Sequence, residues 1–356
     1  MRGYLRWWIM VARRGPVECF ALSGRWPHMK GFACAAIVWI VSMASVSAET
    51  RMVHSQPGAA DKWTALQWTA DEVNRFGGMP ELRLPAGRTL VLARYLYYVS
   101  NYDVARRYPV WVAHVDRADS VLKYRGRKRG DWSRANDEFM PDAQVAGQSL
   151  KRKWQFATNE SFTQANPPEI PVGEKGAEKI TRGHLASNAE MKSLGEPEQG
   201  LQSQAESFSL ANVVPQMQRN NAPIWAKLED NCIEWAARMG GVSVISGPVY
   251  NLDPKGPVPM NRLLYTTGRD GVGLPIPTHF FKVVIARREG RLVAVGFLVP
   301  HRTDLTPADL DAFVVPIRKI EEITGLNFMP KLGGNDALEL RADERWLGWL
   351  TETAGP

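Results

Sequence analysis

The stretch "HFFKVVIARREGRLVAVGFLVP", residues 279–300, restricts the fold more than any other part of the chain. Two ten-residue segments rich in Val, Ile and Phe flank Glu289-Gly290, a dipeptide suited to a tight turn, so they should pair as neighbouring antiparallel strands. The runs "RTLVLARYLYYVSNY" and "YPVWVAHVD" have the same β-branched and aromatic character and read as two strands joined around residues 103–107. "SFSLANVVP", "GVSVISGPV" and "FVVPI" are further strand-like runs. Helical patterns between them are few: one at about residues 223–239, a short one after Thr306 and another near residues 317–324. Strands adjacent in sequence with few helices between them predict an α+β fold with a mainly antiparallel central sheet and flanking helices, not a doubly wound one. A chain of 356 residues with 44% hydrophobic content can bury a sizeable core.

The N-terminal region reads differently. Lys30, an apolar run over residues 31–46 and the small residues Val46-Ser47-Ala48 before Glu49 have the layout of a secretory signal peptide. The expected organisation is therefore an upstream extension at 1–28, a signal peptide at 29–48, a lead-in at 49–89, one domain at 90–332 and a tail at 333–356. This predicts an exported protein, periplasmic or secreted, with no stable membrane partner after cleavage. Residues 1–48 carry six basic side chains and one acidic, five of the chain's seven net positive charges. The residual charge of +2 is no argument for nucleic acid; only local clustering can be one. Cys19 and Cys34 lie in the same leader, so the expected mature chain keeps Cys232 alone and forms no internal disulfide.

Clustering does occur. "KYRGRKRG" supplies Lys123, Arg125, Arg127, Lys128 and Arg129 without an acid, inside a polar stretch over residues 116–179 that reads as a surface excursion. Beyond it come "EKITRGHLASNAEM" and "LANVVPQMQRNNAPIWAKLEDNCIEWAARMGG". In the second, Trp225, Leu228, Cys232 and Trp235 form an apolar stripe at helical spacing, Pro223 suits the first turn, Asn221 stands just before the helix and Glu229 two turns along it. Taken residue by residue, these patterns leave bland alternatives open: Asn221 as a helix cap, His184 as a core histidine, Glu229 in a helix ion pair, Arg134 and Arg182 at the surface. His279, beside apolar residues, reads as structural, and His54, His114 and His301 belong to no recognisable constellation.

"RGHLA", "SLANVVPQMQRNNAPIWAKLE", "VSVISGPVY", "IPTHFFKVVI" and "FVVPIRKIEEITGLNFMP" together resemble, in order and spacing, the DNA/RNA non-specific endonucleases, the ββα-metal nucleases that include mitochondrial endonuclease G. The resemblance implies a ββα-metal motif within the α+β fold. It puts the family's Asp-Arg-Gly-His histidine on His184 and its arginine on Arg182. The metal-binding asparagine falls on Asn221 rather than Asn220, the "LE" glutamate on Glu229, and an upstream arginine on Arg134, five residues before Phe139. Two features depart from the pattern: Thr181 replaces the signature aspartate, and the stretch between Asp142 and Arg182 is long.

The implied chemistry is phosphodiester hydrolysis of DNA and RNA with little sequence preference. A histidine, with an unperturbed pKa of roughly 6.5, can take a proton from the attacking water. Mg2+, or Mn2+ in its place, would be bound through the neutral Asn221 oxygen, with Glu229 ordering its waters. Arg182 and Arg134 would clamp phosphate oxygens, and the Lys123–Arg129 cluster would hold the backbone without reading sequence. A homodimer is compatible with this reading. Thr181 defines the alternative, a nucleic-acid-binding pseudoenzyme.

Overall fold

A computed structural model describes residues 51–54, 74–83, 88–125, 139–142, 144–145, 159–162, 180–194, 197–252 and 273–332, all within one compact unit, Ser47–Pro356. Its frame is an eight-stranded sheet in the order β1-β3-β4-β5-β8-β9-β10-β11. The strands are β1 (Arg51–His54), β3 (Thr89–Arg94), β4 (Tyr98–Asp103), β5 (Tyr108–Arg117), β8 (Gly241–Val249), β9 (His279–Arg288), β10 (Arg291–Pro300) and β11 (Val314–Val315). Neighbours pair antiparallel except β1 with β3. β2 (Glu81–Leu82) pairs with β12 (Leu326–Asn327) to one side, and β6 (Ile180–His184) with β7 (Val213–Met217) forms a separate ribbon. The helices are α1 (Ala118–Arg125), α2 (Asn188–Lys192), α3 (Pro197–Ser207), α4 (Ala226–Met239) and α5 (Ile317–Thr324).

The β9–β10 hairpin forms as expected, with Arg288 opposite Arg291. Glu289 and Gly290 both take positive φ, 51° and 77°, the pair of left-handed residues that a two-residue hairpin turn requires. The "RTLVLARYLYYVSNY" run is two strands, not one. It breaks at Tyr95–Tyr97, where the Tyr95 N–H donates to the Tyr98 carbonyl and closes a turn that contains neither glycine nor proline. The expected surface excursion after Asp116 also begins differently, because Lys123 and Arg125 lie on α1. Arg127, Lys128, Arg129 and Arg134 fall outside the described residues.

Both faces of the sheet are covered, which explains strands that are apolar throughout rather than alternating. On one face Trp235 of α4 stacks on Phe297 of β10, and Trp225 packs on Phe280 of β9. On the other, Phe281 meets Phe328 edge-on, and a Cβ added at Gly296 would lie 2.9 Å from the Ile320 side chain of α5. Cys232 is fully buried in α4, as packing would have it. The β6–β7 ribbon lies on the α4 side, where Ser100 of β4 donates to the Ala211 carbonyl just before β7.

Candidate active site

His184 ends β6, and β7 leads without a loop into a helical run: a turn at Gln218–Asn220, a π-helical turn at Asn221–Trp225, then α4. This is a strand–strand–helix unit. The helix therefore begins earlier than expected, and Asn221 is inside it rather than ahead of it, with φ −63° and ψ −45°. Pro223 explains the wide turn. It has no N–H and its ring crowds the carbonyl four residues back, so the backbone opens to an i→i+5 bond from the Ala226 N–H to the Asn221 carbonyl. A helix-capping role for Asn221 is thereby excluded.

The two adjacent asparagines are separated by their environment. Asn220 is fully buried; its Oδ1 accepts from Gln216 Nε2 at 3.0 Å and its Nδ2 donates to the carbonyls of Pro300 and Arg302 at 2.9 and 3.0 Å. Asn221 is half-buried, and no side-chain hydrogen bond to it is found among the described residues. The glycine before His184 has a steric reason. A Cβ at Gly183 would stand 2.1 Å from Gln216 Oε1 and 2.6 Å from its Cβ, so only glycine lets Gln216 cross β6 to reach Asn220.

The His184 ring packs against both Phe139 and Phe208, each with its ring centroid 5.2 Å away, and the two phenyl rings meet edge-on 5.0 Å apart, so the three form a triangular cluster. The Trp225 Nε1–H donates to the His184 carbonyl at 3.3 Å. The Arg182 guanidinium carbon stands 5.1 Å from the Phe139 ring centroid and 5.6 Å from that of Phe162, and partial burial lowers its pKa. Phe139 is held through its neighbours: Met140 exchanges backbone hydrogen bonds with Phe208 and Leu210, and Asp142 accepts from Tyr95, Ser209 and the backbone of Gln144 and Val145. Thr181 faces away from this group; its Oγ1 donates to the Gln216 carbonyl at 3.0 Å, which ties β6 to β7.

Glu229, eight residues after Asn221, is pushed up to about 8 chiefly by burial, with Lys282 opposing, the charges of Glu190 and Asp230 adding to the rise, and the Trp225 indole, which also reaches this carboxyl, lowering it. A nearby cation would draw such a carboxyl back to its ionised form.

Beneath Trp225 lies a buried charge cluster with no counterpart in the sequence reading. His114 Nε2 is 3.6 Å from Asp116 Oδ1 and 3.5 Å from Glu190 Oε1, and Lys282 Nζ is 3.7 Å from the same Glu190 oxygen. Burial alone would raise Glu190, but Lys282, His114 and the Ser187 hydrogen bond hold it at about 2. Burial raises Asp116 to about 7. His114, Asp116 and Glu190 are donor types that could hold a metal ion, their ligand atoms lying within 4.8 Å of one another. Lys282, however, already supplies a positive charge there. His114, set aside in the sequence, thus has charged neighbours, and Glu190 was legible only as the far half of a capping box with Ser187. The signal for Lys282 was a lone charge within the apolar run "HFFKVVI".

A model of the DNA/RNA non-specific endonuclease family matches residues 77–334. The chain belongs to this family. Its relatives include the mitochondrial nuclease EXOG of Mus musculus, 28% identical over 67% of this chain and 57% of that protein, and of Danio rerio, 30% identical over 67% and 60%. Mitochondrial endonuclease G of Bos taurus is 27% identical over 66% of this chain and 68% of its own. The chain thus spans less than two thirds of the length of the EXOG proteins. A chain in the crystal structure of the EndoG/EndoGI complex superposes with a TM-score of 0.51 over 80% of this chain and 96% of that one, at 20% identity, and so shares the fold.

These relatives overturn the expectation of export. They are mitochondrial nucleases and point to a mitochondrial rather than a periplasmic or secreted setting. A basic, acid-poor leader serves organellar as well as secretory targeting, so its composition could not discriminate between them.

His301 has a structural role with a measurable consequence. Its Nε2 accepts the Met217 N–H at 2.7 Å, at the end of β7, so Nδ1 carries the proton and donates to the Pro277 carbonyl at 2.8 Å. Burial lowers its pKa to about 4. The unfolded chain, at roughly 6.5, binds this proton more readily, so the His301 contribution to stability is present above pH 6.5 and is lost as pH falls towards 4. Thermal unfolding should show a decline over that window that is smaller in His301→Gln.

Proposed function

We propose that the protein is a metal-dependent endonuclease that hydrolyses phosphodiester bonds of DNA and RNA without sequence preference. The observation that carries this reading is the hydrogen bond from Trp225 to the His184 carbonyl, which joins the strand bearing the candidate base to the π-helical turn bearing Asn221. His184 would accept the proton of the attacking water, its ring held edge-on against Phe208 and tilted against Phe139. Asn221 would bind a divalent cation, Mg2+ or Mn2+, through its side-chain oxygen, with Glu229 holding the ion's waters. The Asn221 amide, which makes no hydrogen bond among the described residues, and the raised carboxyl of Glu229 both fit that task. When bound, the ion would supply positive charge at the phosphate and the leaving oxygen. Arg182, steadied on two aromatic rings, would pair with phosphate oxygens, as would Arg134. Lys123, Arg125, Arg127, Lys128 and Arg129 would add sequence-independent backbone attraction.

The test is degradation of plasmid DNA and of RNA by the purified chain with Mg2+ and with chelator. Cutting of both that stops with chelator is expected; inert protein would refute the reading.

Thr181 fits this activity because its hydroxyl fastens the two strands without facing the imidazole. Thr181→Asp exchanges one hydroxyl hydrogen bond for a carboxylate that cannot donate to Gln216, and turnover should change by about tenfold or less. An inert natural protein that Thr181→Asp switches on would show instead that the carboxylate is indispensable.

A further inference from the structure

Trp225 is fully buried and held on three sides. Its Nε1–H donates to the His184 carbonyl at 3.3 Å, its ring packs against Phe280 with centroids 5.5 Å apart, and Lys282 Nζ lies 4.9 Å from its ring centroid. Lys282 is itself fully buried, and its Nζ makes no hydrogen bond among the described residues; it faces the indole and the Glu190 carboxylate at 3.7 Å, with the carboxyls of Glu229 and Asp116 also near enough to act on its charge. Glu190 in turn accepts the Ser187 N–H at 3.0 Å, three residues after His184. The polypeptide that follows the candidate base and the indole that grips its carbonyl therefore converge on one ammonium in the central sheet.

We propose that Trp225 and Lys282 are positioning residues for His184, with Lys282 orienting the indole from beneath and Glu190 fixing Lys282 to the chain just beyond the base. This rests on the nuclease reading. Trp225 shares its helical turn with Asn221, so the same contact sets the base against the candidate metal ligand. A buried ammonium needs compensation by a carboxylate or an aromatic face, and Lys282 has both. A methionine of similar reach would fill the space without directing the ring. Displacement of a base by about 1 Å can cost on the order of a hundredfold in rate, so loss of one of several restraints should cost less.

The test is a double-mutant cycle on the full chain. Trp225→Phe keeps a ring but removes the N–H; Lys282→Met removes the charge, and Lys282→Arg restores it. In the His184 background each of the first two should lower kcat by about tenfold with KM for DNA changed less than twofold, and Lys282→Arg should recover part of the loss. In the His184→Ala background the same substitutions should leave residual activity within twofold. Equal losses in both backgrounds, or wild-type kcat in Trp225→Phe, would overturn the proposal. If Lys282→Met does not fold, the Trp225→Phe cycle decides alone. A readout independent of turnover is the NMR signal of the His184 ring, which should move and broaden in Trp225→Phe while that of His279 stays fixed. An unmoved His184 signal would refute positioning, whereas a wild-type protein that cuts nothing would refute only the nuclease reading.

Discussion

His184→Ala should lower turnover on DNA and RNA by about two to four orders of magnitude, the usual scale for loss of a general base, while nucleic-acid affinity should stay nearly unchanged. The expectation rests on where the ring is rather than on the residue type. The imidazole packs against the paired rings of Phe139 and Phe208, and its backbone is pinned by Trp225, so truncation should remove the candidate base and leave the scaffold in place. Steady-state kinetics with a fluorescent duplex, alongside a binding titration in chelator, separates the two effects. Unreduced cleavage by the variant would remove His184 from the mechanism.

Asn221→Ala should abolish most activity, recover in part at high Mg2+ and unfold at the wild-type temperature, because its side chain makes no hydrogen bond among the described residues. Asn220→Ala behaves in the opposite sense. From the sequence it should be mild, but Asn220 is buried in three hydrogen bonds that join the helix start to β7 and to the end of β10. Its removal leaves the Pro300 and Arg302 carbonyls and the Gln216 amide short of a partner, at about 1–3 kcal/mol for each group stranded away from water. The measurement is thermal unfolding beside an Mg2+ titration of activity. Loss of stability in Asn221→Ala with full metal response in Asn220→Ala would reverse the assignment.

The antiparallel sheet was readable because long β-branched runs adjacent in sequence have few other ways to bury themselves, and β8, β9 and β10 lie where the pattern put them. The break at Tyr95–Tyr97 was not, since its turn is closed by backbone bonding without turn residues. The helix was found but entered late: Pro223 resembles a first-turn proline, and only the π-helical widening that the packed fold tolerates lets it sit within the run. Glycine in "RGH" was visible as a motif, but its reason, the Gln216 side chain crossing β6, is a contact across strands.

By itself, the order and spacing of residues determined the sheet's pairing preference and the helix with its apolar stripe, which follow from local periodicity; His184, Asn221 and Glu229 stand out as candidates only through the resemblance of five ordered blocks to a known family. Tertiary structure alone decided which asparagine is structural, what surrounds the base, and why a lysine is buried in β9. Those outcomes depend on contacts such as Asn220 with Pro300, Phe139 with His184, and Lys282 with Glu190, whose partners lie 45 to 92 residues apart in the chain. Burial turns such encounters into pKa shifts and fixed orientations, and no local pattern encodes them.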